Sequence, residues 1–128
     1  MITTAEAFTA ARAHMSGRFQ WGTADCCTAA CDAFAALRGV DPMMALRGRY
    51  ASVEEARRVM PADLDAFDAL AASAGLAVSA PRPGAIGLVP WSGPVGFALV
   101  LCLGGKVAIK GLRGMVILPA EPVRAWVK

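Results

Sequence analysis

The chain changes its pattern at Leu76, and that change limits the folds open to it. Before Leu76, apolar residues recur at helical spacing between start and stop signals. After it, Gly and Pro break the sequence into short apolar runs of β type. Thr3-Thr4-Ala5-Glu6 forms a capping-box pattern, with Phe8, Ala11 and Met15 following on one face and Gly17 as the stop. Asp25 is a strong N-cap for a second helix, with Cys27, Ala30, Cys31, Phe34 and Leu37 as its apolar face and Gly39 as its end. A short helical turn is expected after Pro42. Ser52-Val53-Glu54-Glu55 starts a third helix that ends before Pro61. Asp63 caps a fourth, with Leu64, Phe67, Leu70 and Ala71 inward, closed by Ala74-Gly75. Strands are expected over 76–79, 85–90, 95–103, 106–110, 114–118 and 123–127, with a hairpin at Gly104-Gly105. Helices first and strands second predict an α+β domain, its N-terminal helices packed on one C-terminal antiparallel sheet.

At 128 residues the chain is expected to be a single domain, 1–128, with one real core. Its net charge of +3 is spread without a basic block, which argues against a nucleic-acid partner. The longest apolar run, Val95 to Leu103, falls well short of the roughly 18 residues a membrane span requires. No secretory signal pattern is visible at Met1–Glu6, and the four cysteines are not spaced as a disulfide framework, so synthesis in a reducing cytoplasm is expected. Apolar residues make up 56% and charged ones only 18%, a balance that points to apolar surface covered by a partner.

The chemistry concentrates in Phe19-Gln20-Trp21-Gly22-Thr23-Ala24-Asp25-Cys26. An aromatic, Gly-containing loop delivers Cys26 to the first turn of a helix. There the unpaired N–H groups and the helix dipole favour a thiolate, with Asp25 partly opposing them. A cysteine nucleophile acting on an amide also needs a base within reach and a polar group to orient that base. The only histidine is His14, upstream of the cysteine, where it reads as a polar residue on a helix face.

The pattern Phe19-x-Trp21-Gly22 followed by Asp25-Cys26 resembles the nucleophile motif of the NlpC-type, papain-like cell-wall peptidases. The resemblance extends to a phage tail-associated branch of that superfamily. It runs through Asp25-Cys26-Cys27, Gly39-Val40-Asp41-Pro42, Arg47-Gly48-Arg49-Tyr50, Gly114 to Pro119 and Ala125-Trp126, in order along nearly the whole chain. It implies a papain-like fold, with Cys26 as an actual or vestigial nucleophile in a peptidase of bacterial peptidoglycan.

Two departures stand out. The expected motif continues Ser-Gly, where this chain has Cys27-Thr28. The strand that should open His-Val-Gly-Ile reads Pro94-Val95-Gly96-Phe97, so proline replaces the base. Strand alternation then groups Pro94, Gly96, Ala98, Val100 and Cys102 on the face expected to meet the nucleophile helix. The third polar position would fall in Lys106–Lys110. Loss of the base is expected to cost about 10²–10⁴-fold in rate.

The resemblance therefore implies a degenerate peptidase retained as a structural component of a phage or phage-like tail tip. It would be made in the bacterial cytoplasm, carried in the virion and docked on hub or fibre-base proteins. The alternative is an active peptidoglycan peptidase using Cys26. Trp21, Tyr50 and Trp126 admit core closure as well as sugar or partner contact, whereas Trp91 lies in an exposed-looking loop and is the strongest contact candidate. Arg47, Arg49 and Tyr50 either form a polar contact surface or anchor the loop that carries them. Cys26, Cys27, Cys31 and Cys102 match no zinc or iron–sulfur spacing, so no metal or cofactor is expected.

Overall fold

The computed structural model describes residues 1–128. Four helices precede a six-stranded, wholly antiparallel sheet. The helices are α1 (Thr4–Met15), α2 (Cys26–Arg38), α3 (Val53–Val59) and α4 (Leu64–Ser73), with a single 3₁₀ turn at Met44–Leu46. The strands are β1 (Ala77–Ser79), β2 (Ile86–Pro90), β3 (Phe97–Cys102), β4 (Val107–Lys110), β5 (Met115–Leu118) and β6 (Arg124–Val127). Their spatial order is β1-β6-β2-β3-β4-β5, leaving β1 and β5 at the edges. No helix is long and apolar enough to cross a membrane.

The caps expected from sequence form. Thr3 and Glu6 exchange side-chain and backbone hydrogen bonds at 3.0 and 3.1 Å, while Ser52 and Asp63 accept from Glu55 and Ala66. Gly39 ends α2 in the left-handed region, φ 72°, which glycine adopts without steric cost.

α2 departs from the expected single apolar stripe. Cys26 through Cys31, Ala33 and Phe34 are all buried, because α2 is wedged between α1 and the sheet. A run of Ala and Cys suits that position, since small side chains let helices and strands approach closely on every side. α4 lays Phe67 against Phe97 of β3, ring centroids 5.0 Å apart and nearly perpendicular, an arrangement aromatic rings favour. Trp126 of β6 is buried in the same region and donates its indole N–H to Asp68 at 2.8 Å.

The face assignment of β3 is corrected. Leu99, with Cys31, Phe67, Ile86 and Trp126, lines the crevice between helices and sheet, so the leucine face meets α2. Cys102 lies on the reverse face, packed with Ala85 and Ala125 in a separate small cluster. The strict alternation read from Pro94 fails because the strand begins only at Phe97. Residues 92–95 form the β2–β3 hairpin loop, and Gly96 follows it with φ +79°, which resets the direction of the side chains.

Candidate functional site

The loop before α2 is built around the Asp25 carboxylate, which is fully buried. Its Oδ1 accepts from the backbone N–H groups of Cys27 and Thr28, each at 2.9 Å. Its Oδ2 accepts from the Gly22 N–H and the Tyr50 hydroxyl, each at 2.8 Å. The Thr28 hydroxyl in turn accepts from the Asp25 N–H at 2.8 Å, completing a reciprocal cap. One carboxylate thus starts the helix, closes the preceding turn and ties down a segment 25 residues away. Gly22 is required here: its φ is +89°, and a Cβ would collide with the Tyr50 carbonyl oxygen.

This arrangement decides the roles of several residues singled out in the sequence. Asp25 is the α2 N-cap. Tyr50 is buried behind the loop that precedes α2. Burial, and then the Asp25 charge, push its hydroxyl pKa far up, so it stays a donor. Arg47 is clasped between Asp32 of α2 at 2.7 Å and Asp41 at 2.8 Å. It anchors the 39–50 connection to the helix. Arg49 is exposed, with no side-chain hydrogen bond or ion pair in the chain. The Gly-x-Asp-Pro and Arg-Gly-x-Tyr segments therefore work together as one brace beneath the loop.

The other singled-out residues meet in a cleft of about 430 Å³. Cys26 lies in its wall, 8% exposed. Trp21, stacked edge-on against Phe19 at 4.9 Å, forms one side, and the exposed Trp91 lies at the β2–β3 connection. Pro94, Val95, Phe97 and Leu112 extend the apolar lining. Pro94, at the position where the resemblance calls for histidine, does face the same cleft as Cys26. Its loop is held by Arg57 of α3, which donates to the Pro94 carbonyl at 2.9 Å. His14 is exposed on α1, in a shallow depression with Ala10 and Leu37, and takes no part in the cleft.

The sequence placed Cys27 only on the apolar face of α2 and Lys110 only within the stretch expected to hold the third polar position. Lys110 is 3% exposed, and burial lowers its pKa. It borders the cleft, but its ammonium donates to the carbonyls of Gly17 and Gly111. A lysine ending an apolar strand run was the available signal. Besides Cys26, Lys110 is the one titratable side chain in the cleft lining, and its donors are already engaged.

The Cys26 thiol is held below the ordinary thiol pKa, first by the Cys27 thiol, whose sulfur is 4.0 Å away. Burial and the Asp25 carboxylate push the other way, and the N–H groups of Leu99 and Cys27 add to the lowering. The Leu99 N–H is available because the β3–β4 ladder stops at Leu101–Ala108, one hydrogen-bonded pair short of Leu99 and Lys110. Cys27 moves the opposite way and keeps its proton, through its bond to Cys26 and full burial. Cys31 is likewise pushed up by burial, and Cys102 up to about 12.

Asp25, Cys26 and Cys27 place their ligand atoms within 4.8 Å of one another. Both carboxylate oxygens already accept two hydrogen bonds each, and Cys27 holds its proton. The trio therefore fits a metal ion poorly.

Residues 3–127 match the model of a family described as a domain of unknown function, DUF6950, and the chain belongs to that family. No curated protein matches the chain, and no solved structure does.

Proposed function

We propose that this DUF6950 member is an NlpC-type, papain-like domain that has lost peptidase turnover and serves as a structural component of a phage or phage-like tail tip. The observation that carries the loss of turnover is the cleft lining: Pro94 lines the same cleft as Cys26, and no imidazole or free carboxylate does. Amide hydrolysis needs a proton delivered to the departing amine as well as a nucleophile, and this lining offers no group free to shuttle it. The tail setting rests on the motif resemblance, which runs in order from Phe19 to Trp126. An aromatic cleft mouth with exposed Trp91 suits a docking role against hub or fibre-base proteins.

A second reading keeps Cys26 as an active nucleophile on peptidoglycan. It is favoured by the lowered thiol pKa and by the N–H groups of Leu99 and Cys27 beside the sulfur.

Digestion of purified peptidoglycan by the wild type and by Cys26→Ser, with fragments identified by mass spectrometry, separates the two. The structural reading expects no fragments from either protein, and stable presence of the chain in purified particles. Fragments from the wild type alone would establish the peptidase and overturn it.

A further inference from the structure

We propose that Cys26 takes an acyl group from a thioester donor and keeps it, with the acyl chain lying in the apolar cleft. The inference rests on the reading that the cleft has no free proton-transfer group, and not on the tail-tip setting.

What the cleft lacks chooses the substrate. Expelling an amine from an amide needs a proton delivered to nitrogen, and no group in the lining is free to deliver it. A thioester makes no such demand. Its leaving group is a thiolate, the base of a thiol with a pKa of about 8.5, and departs unprotonated. The Cys26 thiolate adds to the carbonyl carbon, and the carbonyl re-forms as the bond to the donor sulfur breaks. The acyl group thus passes from one sulfur to another. Nothing is oxidised or reduced, and no proton moves in the transfer.

The reacting atom is equipped for this step. Cys26 lies in the cleft wall, and its own N–H, at the first turn of α2, has no acceptor within the chain. The Leu99 N–H lies beside the same sulfur. Backbone donors placed there suit the oxyanion that forms as the carbonyl is attacked. The other three thiols are buried and keep their protons, so they do not compete.

The lining points to the kind of acyl group. A cleft of about 430 Å³ falls in the range that takes a small ligand. Phe19, Trp21, Trp91, Val95, Phe97 and Leu112 make its wall apolar, and Lys110 is spent on backbone carbonyls. A fatty acyl chain fits that wall, and a charged or sugar-bearing group does not. The deficit that blocks amides then preserves the product. Hydrolysis of acyl-Cys26 needs water activated by a base, and the lining holds none free.

The test treats the full chain with the octanoyl or the acetyl thioester of N-acetylcysteamine and follows intact mass and peptide maps over time. Glutathione is the reference thiol. The wild type is expected to gain one octanoyl group, on Cys26, released by neutral hydroxylamine as a thioester is. Cys26→Ser is expected to gain none. Relative to glutathione, octanoyl should be favoured over acetyl by about tenfold, because methylenes buried in the cleft add to donor binding. Trp91→Ala should reduce that preference. The chain-length comparison uses the wild type alone, so it stays decisive if a variant does not fold. No adduct, an adduct spread over Cys27, Cys31 and Cys102, or a preference no greater than glutathione's would overturn the proposal and leave the absence of amide turnover standing. Release of octanoate beyond one equivalent per chain would overturn the held acyl group together with the reading it rests on, since a base would then have to reach the cleft.

Discussion

The Tyr50 hydroxyl donates to Oδ2 of Asp25 across 2.8 Å, deep behind the loop that presents Cys26. This single bond joins two separate parts of the sequence pattern, the Asp-Cys helix start and the Arg-Gly-x-Tyr segment 25 residues on. Tyr50→Phe keeps the ring and removes the donor, leaving a buried carboxylate one partner short. The expected cost is about 1.5–3 kcal/mol of folding stability, the range for a hydrogen bond to a charged group. Urea unfolding of the two proteins measures it; an unchanged midpoint would show that water replaces the hydroxyl at no cost.

Arg47 carries the second half of the brace. Its Nε and Nη2 both donate to Asp41 and its Nη2 also donates to Asp32, so its removal leaves two carboxylates without their shared partner. Arg47→Met should destabilise by about 1–3 kcal/mol, and Arg47→Lys should recover only part of that, since an ammonium lacks the planar fork. Asp41→Asn in the Arg47→Met background should cost less than in the wild type. Equal costs in both backgrounds, read from a double-mutant cycle, would mean that the pair does not interact.

The adjacent thiols give a pH prediction with a definite sign. Cys26 is lowered and Cys27 raised, so alkylation by iodoacetamide should modify Cys26 first, with its rate rising at a pH below that of an ordinary thiol, about 8.5. Cys27→Ala removes the leading cause of the lowering and should move the Cys26 profile to higher pH. Peptide mass spectrometry after timed labelling reads both. First labelling at Cys27, or a profile unmoved by Cys27→Ala, would contradict the hydrogen-bond assignment.

Local signals made most of the framework legible. Thr3, Asp25, Ser52 and Asp63 were recognisable as caps because an N-cap acts within a few residues of itself. All six strands were visible because Gly and Pro bound them, although each proved shorter than its expected run. What could not be read depended on distant partners or on one backbone angle. Tyr50 admitted two roles until its partner 25 residues away was known. The burial of α2 on all sides over Cys26–Cys31 reflects α1 and the sheet, and nothing within that stretch declares both. The β3 face was misread because Gly96 at φ +79° breaks the alternation that the sequence pattern assumes. Cys26 and Pro94 were named from motif alone, and the cleft brings the two together.

That meeting of Cys26 and Pro94 supplies the last prediction. If the missing base is what silences the thiol, Pro94→His should bring an imidazole into the Cys26 cleft and raise cysteine reactivity near neutral pH. The Pro94 carbonyl contact to Arg57 involves only backbone on the loop side, so the substitution need not release it. The gain should fall short of the about 10²–10⁴-fold contributed by a positioned base, because no carboxylate or amide in the cleft lining can orient the ring. Alkylation of Cys26 at several pH values, compared between wild type and Pro94→His, reads the effect directly. A faster rate that disappears as the imidazole protonates would identify it as the missing part. An identical profile in the two proteins would show that the cleft as now shaped holds residue 94 out of reach of the sulfur. The proposed loss of turnover would then lie in the loop geometry as well as in the residue.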